Sequence, residues 1–186
     1  TSTQKVQFER VKSLMEDIVS KYNAGLLPDK SYVISLGRAC RPMDFHVACL
    51  KKGYQAGLTV VPFCDRYEIA RILQNRLVPD DDIYLTPYIS ERDLLNNQVC
   101  VIQLMGSLLE DEVDLIFSLV RLRGQRKLPT VVITDCNASK TATGKLIIDN
   151  ATRVESEANY EIPYAISVIQ DEYSNDSDSF NLFTSL

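Results

Sequence analysis

The chain predicts a three-layer α/β/α sandwich built on a mostly parallel sheet, and three observations predict it. A βαβ unit is legible across residues 31–63. There an apolar run (Tyr32, Val33, Ile34, Leu36) ends at Gly37, a helical stretch carries Phe45, Val47, Ala48, Leu50 and Lys51, and a second apolar run extends from Leu58 to Phe63. Downstream, short apolar runs at 98–104 and 129–135 flank a helical pattern at 110–125, the alternation expected of parallel strands joined by helices. Apolar residues make up 45% of 186, which suits one core domain with small appendages.

The elements follow in order. Residues 4–22 form an amphipathic helix, because Phe8, Val11, Met15, Ile18 and Tyr22 recur at spacings of three and four. Gly25 is placed to end it, with Pro28 beyond. This helix either packs on the following domain or serves as a partner-binding arm. After the βαβ unit, 65–77 reads as a helix with Asp65 as N-cap, Glu68 at the capping-box spacing, and Ile69, Ile72, Leu73 and Leu77 facing inward. Residues 78–88 form a loop with three adjacent carboxylates, Asp80, Asp81 and Asp82, which reads as a solvated turn rather than a metal site. Ser90 and Asp93 cap one helical turn through Leu95, and 98–104 is a buried strand. The 110–125 helix has acids in its first turn and Arg121 and Arg123 near its end, as the helix dipole favours. Pro129 opens the strand 129–135. Further strands are expected through Leu146, Ile147 and Ile148, and through 161–170. The organisation is thus a helix at 1–26, an α/β core at 27–170, and an acidic tail at 171–186 expected to be disordered in isolation.

Composition narrows the function. No run of 18 apolar residues occurs, so no membrane span is expected, and the polar start, Thr1 to Lys12, does not read as a signal peptide. The five cysteines (Cys40, Cys49, Cys64, Cys100, Cys136) include no C-x-x-C pair, and three of them adjoin apolar runs. Reduced, buried thiols in a cytoplasmic protein (or a nuclear one in a eukaryote) fit that pattern best. The net charge of −5 is uneven: no Lys or Arg follows Arg153, whereas seven acids do. Residues 1–153 are mildly basic, which argues against strong nucleic-acid binding by bulk charge.

The turn after the first strand is where α/β proteins hold phosphates. A phosphate loop there needs glycines for close backbone approach, a Lys for the β/γ charge and a Ser or Thr for Mg²⁺. Here only Gly37 is present; Pro42 removes a donor, Asp44 stands where the Lys would be, and Phe45 stands where the hydroxyl would be. The second nucleotide motif, a strand ending in metal-holding carboxylates, is replaced by Gln103 and Leu104. Both losses argue against ATP hydrolysis, and no cofactor or metal is expected.

Three stretches carry a family resemblance. Phe45 to Leu50 resembles a lysine-threonine-histidine-leucine-alanine helix start, Gly57 to Phe63 resembles the strand that follows it, and 123-RGQRKLPTVVITDCN-137 resembles an arginine, basic residues, then P-T-I-I-T-S-N. Together they are similar to the AAA+ (P-loop NTPase-like) core of DnaC/DnaI-type helicase loaders and IstB-type transposition ATPases, over roughly residues 30–140. The resemblance implies a P-loop NTPase-like fold, a nucleotide-sensor position at Asp135 or Asn137, and a match of Arg123 to an arginine of the family's helix. With Asp44, Phe45, Gln103 and Leu104 departing from the pattern, it implies an inactive relative that contacts a protein partner such as a helicase, recombinase or transposase.

A second resemblance starts from Ile34-Ser35-Leu36-Gly37 followed by Cys40, with Pro62-Phe63 later, which is similar to the opening of a family of papain-like cysteine peptidases. A Cys nucleophile needs a base, and His46 is the chain's single histidine, so this reading implies a Cys40–His46 dyad. Two weaker features complete the set. The cluster Arg121, Arg123, Arg126 and Lys127 reads either as a DNA or partner contact or as cations at a helix C-terminus. Phe180, Leu182 and Phe183 among acids resemble a short docking motif.

Overall fold

The computed structural model describes residues 2–35, 41–73, 89–135, 141–158 and 166–170. They form helices α1 (Ser2–Asn23), α2 (Pro42–Gln55), α3 (Arg66–Leu73), α4 (Glu91–Asn96), α5 (Glu110–Gln125) and α6 (Ala142–Ala158), and strands β1 (Ser31–Ser35), β2 (Val101–Leu104), β3 (Val131–Thr134) and β4 (Ile166–Gln170). The strands make one open sheet in the order β2-β3-β1-β4, with every pairing parallel. Residues 58–63, expected as a full strand, contribute one parallel bridge, Val60 to Val99, which extends the sheet beyond the β2 edge.

Alternation along the strands sends side chains to both faces, and each face has its own core. On one face Tyr32, Ile34, Val131, Ile133 and Val101 pack against α1 (Val11, Met15, Ile18, Val19, Tyr22) and α2 (Phe45, Ala48, Cys49). On the other, Val33, Ile102, Leu104 and Val132 pack against Ile69 of α3, Leu94 of α4, Val113, Ile116, Phe117 and Val120 of α5, and Ile147, Ala151 and Val154 of α6. The amphipathic first helix is therefore part of the core rather than a free arm.

Local chemistry explains where the helices stop and start. Ser90 Oγ accepts from the Asp93 N–H at 3.1 Å and Asp93 Oδ2 accepts from the Ser90 N–H at 3.2 Å, a complete capping box. Asp65 Oδ1 accepts from the Glu68 N–H at 2.8 Å at the start of α3. Helices α1, α2 and α5 all end in Schellman turns. Gly25 (φ +73°) and Gly57 (φ +83°) fill the left-handed position in the first two, and Lys127 (φ +60°) fills it in the third.

The strand expected through Leu146, Ile147 and Ile148 is instead the middle of α6. The β-branched pair suggests a strand, but Thr143, Ile147, Asn150, Ala151 and Val154 are buried at helical spacing, and the longer 3.6-residue period prevails. Leu77, the carboxylates Asp80, Asp81 and Asp82, residues 161–165 and the 171–186 tail lie outside the described residues. Among the described residues, no helix is long and apolar enough to cross a membrane.

Candidate functional site

Strands β1 and β3 are neighbours, yet the helices that follow them lie on opposite faces: α2 packs on the Tyr32/Ile34 side and α6 on the Val33/Val132 side. Two adjacent parallel strands whose following helices lie on opposite faces make a topological switch point at their C-terminal ends, the place where α/β sheets generally bind ligands. Ser35 and Thr134 are register partners there and both are buried. Asp135, one residue beyond β3, accepts from the Gly106 N–H at 3.0 Å, tying the β2 and β3 exits together. Gly106 has φ +75°, which explains a glycine in that turn. Gly37 and Cys40, in the stretch between β1 and α2, lie outside the described residues, as does Asn137.

Helix α2 begins with Pro42 in its first turn, where the missing N–H costs nothing. Asp44 lies in that same turn and pairs with Arg41 (Nε–Oδ2 3.2 Å). The positive end of this helix therefore already faces a carboxylate of its own chain. Phe45 is fully buried and anchors α2 in the core. The two positions that would hold phosphate and Mg²⁺ in a nucleotide site thus carry an anion and a core side chain.

The next residue, His46, is 1% exposed. Burial pushes its pKa down to about 4, so the imidazole is neutral at physiological pH. Gln103 Nε2 lies 2.8 Å from His46 Nδ1. An amide nitrogen only donates, so Nδ1 is the acceptor and the ring proton sits on Nε2. That Nε2 is buried and has no hydrogen-bond partner among the described residues. The Phe63 ring lies 4.9 Å away, inclined at 48°. Gln103 thus binds a histidine at the site where a carboxylate would hold Mg²⁺, while Leu104 is buried in the opposite core. Among the described residues, α2 thus presents a neutral, buried imidazole to β2, and the end of β2 carries Gln103 and Leu104 rather than a carboxylate pair.

The basic cluster separates into four different situations. Arg123 is fully buried, and this corrects its assignment as a DNA or partner contact. Its guanidinium donates to Thr130 Oγ1 (2.9 Å), Leu94 O (2.7 Å), Asn97 O (2.7 Å), Gln98 O (3.4 Å) and Pro129 O (3.2 Å). These acceptors come from the end of α4 and the chain entering β2 and β3, so Arg123 knits the N-terminal edge of the sheet. A sequence signal for this exists: Val113, Ile116, Val120 and Arg123 share one helical face. Lys127 is the left-handed residue of the α5 terminus, Arg126 donates to Leu122 O at 3.3 Å, and Arg121 pairs with Glu157 at 3.7 Å.

Cys49, Cys64 and Cys100 are buried free thiols. Burial raises all three pKa values, that of Cys64 up to about 12, so none is a ready thiolate. Cys136 and the docking residues Phe180, Leu182 and Phe183 lie outside the described residues. No pairing of His46 with Gln103 was legible in advance, because 57 residues separate them and neither side chain signals the other. No protein-family model matches this chain, and no curated protein matches it.

Proposed function

We propose that this chain is a non-catalytic, P-loop NTPase-like adaptor in DNA replication, recombination or transposition, acting through protein–protein contacts. The observation that carries the reading is the His46–Gln103 pair. It joins the helix that would present a phosphate loop to the strand that would present the metal carboxylates, and it does so with two uncharged side chains. Support also comes from the sheet. The β1–α2 turn leaves a central strand at the switch point, as a nucleotide fold requires, while Asp44 and Phe45 supply neither a cation nor a hydroxyl there. The setting in DNA transactions rests on the resemblance of 45–50, 57–63 and 123–137 to helicase loaders and transposition ATPases.

Two measurements test this. Calorimetric titration with MgATP is expected to show no binding, and micromolar affinity or any hydrolysis overturns the reading. Affinity capture from the native host is expected to recover a helicase, recombinase or transposase, and to lose it when the chain ends at Gln170.

The competing reading, a cysteine-dependent hydrolase with Cys40 and His46, receives less support. An imidazole with a pKa near 4 is a weak base toward a thiol of about 8.5. Alkylation of Cys40 no faster than a model thiol at neutral pH removes this alternative.

A further inference from the structure

Helices α5 and α6 pack side by side on the same face of the sheet, and a pocket of about 230 Å³ opens between them. Phe117, Ser118 and Arg121 line it from α5, and Arg153, Val154 and Glu157 line it from α6. Spacings of three and four residues put each set on one helical face. Phe117 and Val154 are buried in the core beneath, so the groups left to meet a ligand are polar.

The two arginines differ. Arg121 is already paired, its Nη1 lying 3.7 Å from Glu157 Oε2. Arg153 has no carboxylate partner among the described residues, although Asp149 and Glu157 stand four positions to either side of it. It is held instead by a neutral group. Arg153 Nη2 donates to Asn150 Oδ1 at 2.6 Å, and Asn150 Nδ2 donates to Leu146 O at 2.9 Å. Asn150 is 6% exposed, so its amide is fixed and in turn fixes the guanidinium. That one contact leaves most of the donors of the planar fork unused, and a carboxylate takes two of them at once. Ser118 Oγ donates to Asp114 O at 2.9 Å and keeps its lone pairs for a donor.

We infer that this pocket binds a small, hydroxyl-bearing organic acid, its carboxylate on Arg153 and its hydroxyl donating to Ser118 Oγ. Charge selects the class. Two arginines and one glutamate leave a single positive charge, which a monocarboxylate neutralises. A phosphate monoester carries about −1.5 to −2 and would leave charge over beside Glu157. Size agrees, because drug-sized ligands need about 300–1,000 Å³. The inference is independent of the nucleotide-site reading.

The test is an NMR titration of the isotope-labelled full chain with lactate at low salt. Amide shifts centred on 117–121 and 150–157 are expected to saturate with a Kd of about 1–10 mM. Arg153→Gln keeps an amide donor for Asn150 but removes the charge, and binding is expected to weaken about tenfold or more. Glu157→Gln frees Arg121 and removes the repelling carboxylate, so binding is expected to tighten several-fold. Neither side chain is buried, so the fold does not rest on either. Lactamide, the uncharged counterpart, is expected not to bind. No saturable shift, shifts centred elsewhere, an unchanged Kd in either variant, or equal binding of lactamide each overturn the inference. A blocked peptide with one glutamate that binds more tightly than lactate also overturns it, by giving the carboxylate to a partner's side chain.

Discussion

Arg123 and His46 are both buried polar side chains on helices, and they sit at opposite ends of the same sheet. At the N-terminal edge, the Arg123 guanidinium is shut off from solvent and meets five oxygen acceptors. At the C-terminal edge, His46 has one partner, Gln103, and a buried Nε2 with none among the described residues. A buried charge is tolerable when its donors are satisfied, and a buried donor left unpaired is costly. The fold therefore places its complete network where it closes the sheet and its incomplete one where α/β sheets carry sites. This is the reverse of what residue type suggests, since the arginine reads as a contact residue and the histidine as a reactive base.

The largest effect expected from breaking this contrast is at Arg123. Arg123→Ala leaves the carbonyls of Leu94, Asn97 and Pro129 without their donor, and a loss of about 3–5 kcal/mol is expected in urea unfolding. Arg123→Lys should recover little of it, because an ammonium cannot reach acceptors spread around a planar fork. A loss within about 0.5 kcal/mol, the range of ordinary surface substitutions, would show that the network is not what closes this edge.

The same edge is tight in its packing. A Cβ built on Gly53 of α2 would lie 2.7 Å from Val99 Cγ2. Gly53→Ala ordinarily gains about 1 kcal/mol of helix propensity, but here overpacking should reverse the sign and cost about 1–3 kcal/mol. Val99→Ala in the same chain should remove most of the added cost, and a double-mutant cycle measures that coupling.

At the other edge the expected signature is a pH dependence. The folded pKa of His46 is lowered to about 4, so the folded state binds fewer protons than the unfolded state below pH of about 6.5. Its contribution to stability is present in full above that range and is lost as pH falls toward 4. Between pH 7 and 5 the chain should lose about 2 kcal/mol that a His46→Gln variant does not lose. Parallel stability profiles for the two chains would show that His46 does not titrate as a buried neutral ring.

The smallest effect concerns a helix end near Arg123. Gly25 and Gly57 hold the left-handed cap position of α1 and α2 without strain, but α5 uses Lys127 at φ +60°. Lys127→Gly should stabilise the chain by about 1 kcal/mol, read as a higher urea midpoint with an unchanged slope. Destabilisation instead would assign the Lys127 side chain an interaction that outweighs its backbone strain.

Much of the frame was legible in the residues themselves. The 3.6-residue stripe from Val11 to Tyr22, the Ser90–Asp93 capping box and the acid-started helix at 110–125 depend on neighbours a few positions away, and local chemistry settles them. The parallel sheet followed from strands alternating with helices, since such strands need crossovers. Where the local signal was short, it failed: Ile147 and Ile148 suggested a strand, and a 17-residue helix owned them. At the site, the mismatch of Asp44, Phe45, Gln103 and Leu104 with a nucleotide-binding pattern was readable because it depends on residue type alone.

Tertiary structure decided the rest, because burial and pairing are properties of residues far apart in sequence. The sequence by itself determined that an α/β core forms and that Asp44, Phe45, Gln103 and Leu104 do not fit a nucleotide-binding pattern. Only the folded chain decided that Arg123 is interior, by bringing oxygens from 94–98 and 129–130 around it. Only the folded chain joined His46 to Gln103 and turned a candidate base into a neutral donor. Desolvation is the common physical reason: it acts on a side chain according to what surrounds it in space, and no local pattern encodes that.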